Sequence, residues 1–293
     1  MSAESEMKDA PESPVRSDLA RQVRQHDRDR FLTALFAPAD RRRPLLALYA
    51  FNYEVAKTRE VVSEPVLGRI RLEWWRESLD AAYAGAPVRR HEVVEPLTEA
   101  IRRFALTRGH FDALIDARER DLEDEPTGSL DALAAYAEAS SAPLVLLALE
   151  TLGERGAAAI KAGRAVGAAY ALAGLLRAVP FHARAKRLYL PLDRTTEAGS
   201  RAVRELFELR STAELRRVVE EGARLAAHAL EEAHSVRGDV PRAALPALLP
   251  AVLARADLAR LKRSGYDPFA PAVAGPDPWR SWRLTLAALR RRF

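Results

Sequence analysis

Apolar side chains recur at helical spacing along almost the whole chain, and this feature most limits what the chain can fold into. In residues 67–83, for example, Leu72, Trp75, Leu79 and Ala82 fall on one stripe of a helix. The alternation of apolar and polar residues that is typical of strands is rare, whereas the helix formers Ala, Leu, Arg and Glu are abundant. The sequence therefore predicts an all-α fold.

Prolines, glycines and N-cap residues divide the chain into successive helices. No repeat, linker or abrupt change of composition separates them, so we predict one helical domain over residues 17–293. Residues 1–16 mix acidic residues with Pro and Ser, and we expect them to be disordered. The predicted helices span residues 21–35, 44–62, 67–83, 96–106, 109–122, 130–140, 142–152, 157–179, 201–209, 212–236, 242–264 and 279–291.

The composition excludes several classes of site and partner. The 293 residues include no cysteine, which rules out disulfides and cysteine-ligated metal centres. The net charge of +5 comes mostly from arginine and can favour anionic partners. No basic run with interleaved aromatic residues marks a nucleic-acid-binding module, so we predict no nucleic-acid partner. The longest apolar run, residues 144–149, is too short to cross a bilayer.

Carboxylates in two places have spacings that could hold Mg²⁺. Glu60 and Glu64 are four residues apart, and Asp121 and Asp124 form an Asp-x-x-Asp. Such pairs can hold a cation that bridges to a substrate diphosphate. The alternative is a solvated helix end with mixed charge, and we prefer it.

The C-terminal segment is both aromatic and basic. Trp279, Trp282, Leu286, Leu289 and Phe293 stand among Arg280, Arg283, Arg290, Arg291 and Arg292. One hypothesis is an interfacial helix that places its tryptophans among lipid headgroups, with Trp279, Trp282, Arg283 and Arg290 facing the membrane. The other is a terminal helix that packs its tryptophans on the core.

Several motifs, taken in order, resemble the squalene/phytoene synthase family. They cover about residues 20–265. That resemblance implies an isoprenoid synthase fold, a single helical domain around a central cavity. The segments that carry it are Arg30-Phe31 to Leu35, Arg43-Pro44 to Phe51, Leu72-Glu73-Trp74-Trp75-Arg76-Glu77, Asp121-Leu122-Glu123, Leu130 to Tyr136, Gly167 to Arg177, and Arg187-Leu188-Tyr189-Leu190-Pro191-Leu192-Asp193.

The chain departs from that family at the positions that hold metal. Active members bind Mg²⁺ through aspartates in two facing motifs. The first motif falls here on Ala56, Lys57 and Glu60, and the second falls on Arg177, Ala178 and His182. Pro126 and Thr127 also replace an Arg and a Tyr that follow the Asp-Leu element in the synthases. Because ionisation of an allylic diphosphate needs metal charge on the leaving group, we predict no catalytic residues, no bound metal and no cofactor.

A closer resemblance is to the branch of the family that lacks the aspartates and includes a mitochondrial complex I assembly factor. It rests on Ala50-Phe51-Asn52 with Glu54-Val55-Ala56, on Tyr136-Ala137-Glu138, and above all on Leu176-Arg177-Ala178-Val179-Pro180-Phe181-His182. The resemblance implies a non-catalytic protein that helps to assemble respiratory complex I. Its partners would be complex I subunits or other assembly factors. We expect it in the cytoplasm, peripheral at the inner face of the plasma membrane.

The alternative is a working Mg²⁺-dependent prenyltransferase that condenses isoprenoid diphosphates. It would use Glu60, Glu64, Asp121 and Asp124 for its metal. In either case the resemblance places Asn52, Asp121 and Tyr189 as candidate cavity or ligand contacts, with an isoprenoid as the candidate ligand.

Overall fold

The chain folds as a bundle of α-helices in a computed structural model that describes residues 18–123 and 127–293. Within those two ranges there are helices, turns and no strand, which confirms the all-α prediction. The expected disorder of residues 1–16 and the position of Pro126 lie outside the described residues. The helices are α1 (Asp18–His26), α2 (Arg28–Ala34), α3 (Ala39–Ala56), α4 (Thr58–Val61), α5 (Pro65–Tyr83), α6 (Val94–Phe104), α7 (Arg108–Arg120), α8 (Leu130–Thr151), α9 (Ala157–Arg177), α10 (Val179–Arg184), α11 (Glu197–Phe207), α12 (Ala213–Ser235), α13 (Leu245–Leu248), α14 (Pro250–Arg263), α15 (Pro271–Ala274) and α16 (Arg280–Leu289).

The structure differs from the predicted helices in several places. The predicted helix 44–62 is α3 and α4, and α10 and α15 were not predicted. The segment 21–35 is two helices, because Asp27 interrupts it and its carboxylate accepts a hydrogen bond from the Arg30 N–H at 3.1 Å, which caps α2. The segments 130–140 and 142–152 are one helix, because Pro143 is buried within α8 and burial outweighs its local cost. The segment 242–264 is broken into a 3-10 turn, α13 and α14, each α-helix with a proline in its first turn.

The centre of the bundle is formed by α8 and α9, which pack against each other, with α12 and α14 on the other side of α9. Glycine allows the close approach. A Cβ added at Gly167 would lie 2.5 Å from the Cα of Ala142 on α8, so no larger residue fits without moving the backbone. This tight packing fixes the end of α9, where the second motif lies.

Two helices, α8 and α9, are long and apolar enough to cross a membrane by length and composition. Their tested windows are 67% and 56% buried inside the structure. Helices at the centre of a bundle have the same property, and these two form that centre.

Candidate functional site

A small cavity of about 220 Å³, here called the inner cavity, lies between α3 and the end of α9. Asn52 on α3 and Ala178 at the junction of α9 and α10 both line it. The second motif lines this cavity, whereas Ala56, Lys57 and Glu60 of the first motif do not. The remaining lining residues are Arg30, Arg118, Tyr136, Ser140, Ser141, Tyr170, Ala171, Gly174, Leu175, Arg177, His182 and Asp257.

At the first motif the ammonium of Lys57 pairs with a buried carboxylate that it shares with Arg71. The Lys57 ammonium donates to Glu54 at 2.6 Å, and Arg71 donates to the other oxygen of the same carboxylate at 2.6 Å. Gln22 adds a third hydrogen bond at 2.8 Å, and the Glu54 side chain is only 8% exposed. The buried carboxylate is therefore committed to ion pairs. Ala56 offers no ligand atom, and Glu60 is exposed at the surface.

At the second motif α9 ends at Arg177 and a new short helix begins. Ala178 caps both, and the His182 N–H donates to its carbonyl at 3.0 Å. The His182 ring packs on Tyr189, with ring centroids 4.5 Å apart. Burial, together with the nearby Arg187, lowers the pKa of His182 to about 4. The imidazole is thus neutral at neutral pH and forms part of an aromatic wall where the synthases have aspartate.

Asp121 lies at the end of α7, and both of its carboxylate oxygens have partners within the protein. The Tyr136 hydroxyl donates to one oxygen at 2.7 Å, and Arg118 pairs with the other at 3.1 Å. Tyr136 packs in turn near Tyr189, with centroids 5.9 Å apart. Asp121 and Tyr189 therefore belong to one aromatic and ionic cluster beside the inner cavity.

The remaining acidic groups do not make a divalent-cation site. Glu60 and Glu64 are exposed, Asp121 is held by Arg118, and Asp124 lies outside the described residues. No group of three His, Asp or Glu side chains in residues 18–123 and 127–293 could hold a metal. Mg²⁺ bound to a diphosphate still needs carboxylate ligands from the protein, and this set does not fit it.

Sequence reasoning missed most of the charged residues of the inner cavity. Asn52 was singled out, and its side-chain oxygen is buried without a hydrogen-bond partner. Arg30 pairs with Asp27 at 2.8 Å, and its guanidinium lies over the Tyr170 ring. Local spacing signalled the Asp27–Arg30 pair, but no spacing could place Tyr170 against it.

A second, larger cavity of about 640 Å³ opens next to the first, and Tyr136 lines both. We call it the outer cavity. It has aromatic walls from Tyr189 and Phe207, and five basic side chains against two acidic ones, Asp121 and Glu123. The basic residues are Arg59, Arg120, Lys186, Arg187 and Arg194.

The C-terminal helix α16 docks on the bundle through Leu284 and Arg280 and turns its tryptophans outward. Leu284 is fully buried, whereas Trp279 and Trp282 are 61% and 64% exposed. Arg280 donates to Asp29 at 2.6 Å and to Asp257 at 3.0 Å. The tryptophans therefore do not pack on the core. Of the basic residues singled out for the membrane, Arg283 pairs with Asp277, and Arg290 is exposed.

The family model for squalene/phytoene synthase matches residues 23–290. The chain belongs to the squalene/phytoene synthase family. Complex I assembly factor 6 of Rattus norvegicus is 30% identical over 271 residues, which cover 92% of this chain and 81% of the relative. The human protein of the same name is 30% identical over 251 residues, which cover 86% of this chain and 75% of the relative. Among solved structures, a dehydrosqualene synthase in complex with ligand superposes with a TM-score of 0.78 at 20% identity, over 94% of this chain and 98% of that one.

The structural match shows that the chain has the fold of the synthase family, as the resemblance implied. At the positions where the resemblance places the two metal-binding motifs, this member of the squalene/phytoene synthase family carries Ala56, Lys57 and Glu60, and Arg177, Ala178 and His182.

Proposed function

We propose that the protein is a non-catalytic member of the squalene/phytoene synthase family that acts in the assembly of respiratory complex I. The observation that carries this proposal is 30% identity to an assembly factor over 92% of the chain, combined with motif positions at which Glu60 is the one remaining carboxylate. Its partners would be complex I subunits or other assembly factors. An isoprenoid in the cavity stays a prediction.

The electrostatics of the site support the absence of catalysis. Departure of diphosphate from an allylic carbon builds negative charge on the leaving group, and the family neutralises that charge with metal ions. In this chain the buried carboxylates nearest the motifs, Glu54 and Asp121, are each neutralised by an arginine or lysine. A cation would have to break those pairs before it could bind.

The first experiment tests the assembly role in cells. Deleting the gene in its own host should lower the amount of assembled complex I on native gels and lower NADH-driven quinone reduction. Succinate-driven respiration serves as the control and should be unchanged. Normal complex I levels in the deletion strain would overturn the assembly role.

A matched rescue separates assembly from catalysis. Glu60→Gln with Glu64→Gln removes two exposed carboxylates that the prenyltransferase alternative needs, and neither of them is in an ion pair with another described residue. We expect this variant to restore complex I as well as the wild type does. The purified wild type should release no diphosphate from farnesyl or geranylgeranyl diphosphate with Mg²⁺. Formation of squalene or phytoene would establish the alternative.

The proposed location is the cytoplasmic face of the membrane, with peripheral attachment. The exposed tryptophans of α16 support this placement because amphipathic aromatic rings favour the headgroup layer.

A further inference from the structure

Five arginines from two distant parts of the chain converge on one surface cleft of about 410 Å³. We call it the arginine cleft. Arg237 and Arg242 come from the 3-10 turns that follow α12, and Arg290, Arg291 and Arg292 come from the end of α16. The rest of the lining consists of glycine and apolar residues, and no described acidic side chain lines the cleft.

None of these five guanidiniums has an ion pair or a side-chain hydrogen bond within the part of the chain that the structure describes. Other arginines, such as Arg76, Arg108 and Arg280, pair with carboxylates. Like charges held together raise the energy of the folded protein unless an anion joins them. The cleft therefore has the electrostatics of an anion site.

The end of α16 closes in the Schellman arrangement that commonly ends a helix. Arg291 has a left-handed φ of 54°, and the Arg292 N–H donates to the Ala287 carbonyl at 2.9 Å. This turn places Arg291 and Arg292 beside Arg290 in the lining of the cleft.

Attraction to the helix dipole does not explain the cluster. The C-terminus of a helix carries only about half a negative elementary charge, and its effect fades within the last turn. It can account for one arginine on α16, but it does not account for Arg237 and Arg242, which belong to other elements.

An exposed apolar face runs along α16 up to the edge of this cleft. Trp279, Trp282, Leu286 and Leu289 repeat at helical spacing and are 61%, 64%, 36% and 75% exposed. Leu289 is followed directly by Arg290, which lines the cleft. Apolar and aromatic residues next to unpaired basic residues match a bilayer surface, where acyl chains lie beneath anionic headgroups.

We infer that the arginine cleft binds the phosphate-bearing headgroup of an anionic lipid while Trp279, Trp282, Leu286 and Leu289 enter the headgroup layer. This inference deepens the membrane placement proposed above and does not depend on the assembly role. It assigns lipid recognition to Arg237 and Arg242 in addition to Arg290, and it leaves out Arg283, which is paired with Asp277.

The test is sedimentation of the full chain with vesicles of phosphatidylglycerol and phosphatidylcholine, and with vesicles of phosphatidylcholine alone. Deletion of α16 is not suitable because it would also remove Arg280 from Asp29 and Asp257. The test variant is Arg237→Gln with Arg242→Gln, which leaves α16 intact. The matched control is Arg24→Gln with Arg90→Gln, which removes the same charge at two exposed positions that have no ion pair with another described residue.

We expect the wild type to bind the anionic vesicles and to bind phosphatidylcholine weakly. The test variant should bind the anionic vesicles about tenfold more weakly, since each surface arginine adds measurably to attachment, and the control should bind like the wild type. Trp279→Ala with Trp282→Ala should also weaken binding, which reports on the membrane placement itself.

Three results would overturn the inference. The first is a test variant that binds as well as the wild type while the tryptophan variant does not, because membrane attachment would then stand without the cleft. The second is an equal loss in the control, which would mean general electrostatics only. The third is a wild type that binds phosphatidylcholine vesicles as strongly as the anionic ones, which would mean that the charge of the headgroup is not recognised.

Discussion

Basic side chains near the inner cavity are paired with carboxylates, whereas those of the arginine cleft are not. Near the two motifs Lys57 pairs with Glu54 and Arg118 pairs with Asp121, at distances of 2.6 and 3.1 Å. In the cleft Arg237, Arg242 and Arg290 have no partner among the described residues. An unpaired charge is costly where water is excluded, so buried charges must be paired when the chain folds. Arginines at the surface can stay unpaired until a ligand binds.

The largest effect that this comparison predicts is at Arg280, which joins α16 to the interior. Arg280→Ala would leave Asp29 and Asp257 buried without their main partner, at 14% and 4% side-chain exposure. We expect the free energy of unfolding to fall by about 3–5 kcal/mol. Urea denaturation measures it, with the exposed Arg290→Ala as control. Equal free energies of unfolding for the two variants would mean that the paired Arg280 contributes no more to stability than the unpaired Arg290.

The second effect concerns pH and His182. Burial lowers the pKa of His182 to about 4, so the unfolded chain binds more protons than the folded one between pH 6.5 and pH 4. Stability is therefore full above pH 6.5 and falls as the pH drops to about 4. At about 1.4 kcal/mol per pKa unit the loss is about 3 kcal/mol. His182→Gln should flatten this part of the stability profile, whereas His234→Gln, at an exposed position, should leave it unchanged. Parallel profiles for all three proteins would contradict the prediction.

A smaller effect is expected at the first motif. Glu54→Gln removes the carboxylate that neutralises Lys57 and Arg71, and we expect a loss of about 2 kcal/mol in the free energy of unfolding. Glu64→Gln, which is exposed, is the matched control. Thermal and urea unfolding of the two variants would show the difference. If Glu54→Gln left the free energy of unfolding unchanged, Lys57 and Arg71 would not need the carboxylate of Glu54.

The smallest effect on stability is expected in the cleft itself. Arg237→Gln with Arg242→Gln should change the free energy of unfolding by less than about 0.5 kcal/mol, because neither side chain has a partner among the described residues and neither is buried. Added salt should stabilise the wild type more than this variant, since salt screens the repulsion that the variant has lost. An equal salt response in both proteins would mean that the five arginines do not repel one another.

The fold and the inner cavity were predictable from the sequence to the extent that local pattern or resemblance carried them. Helical spacing predicted the all-α bundle, and the ordered motifs predicted which family it resembles. The break at Asp27 and the continuation of α8 through Pro143 were not predicted, because a side-chain cap and burial decided them. The charge partners were missed where they are far apart in sequence. Asp29 and Arg280 are separated by 251 positions, and Arg237 and Arg290 come together only in the folded chain.

The docking of α16 through Arg280 also determines at what stage of folding its exposed apolar face forms. Asp29 lies near the start of the described chain and Asp257 lies near its end, so the pocket for Arg280 forms only after both parts of the bundle have come together. Until then α16 is a ten-residue segment, too short to be a stable helix in water. An unfinished chain therefore has neither an ordered row of tryptophans nor a cleft beside it. The surface that we assign to the membrane therefore forms only once the bundle has folded.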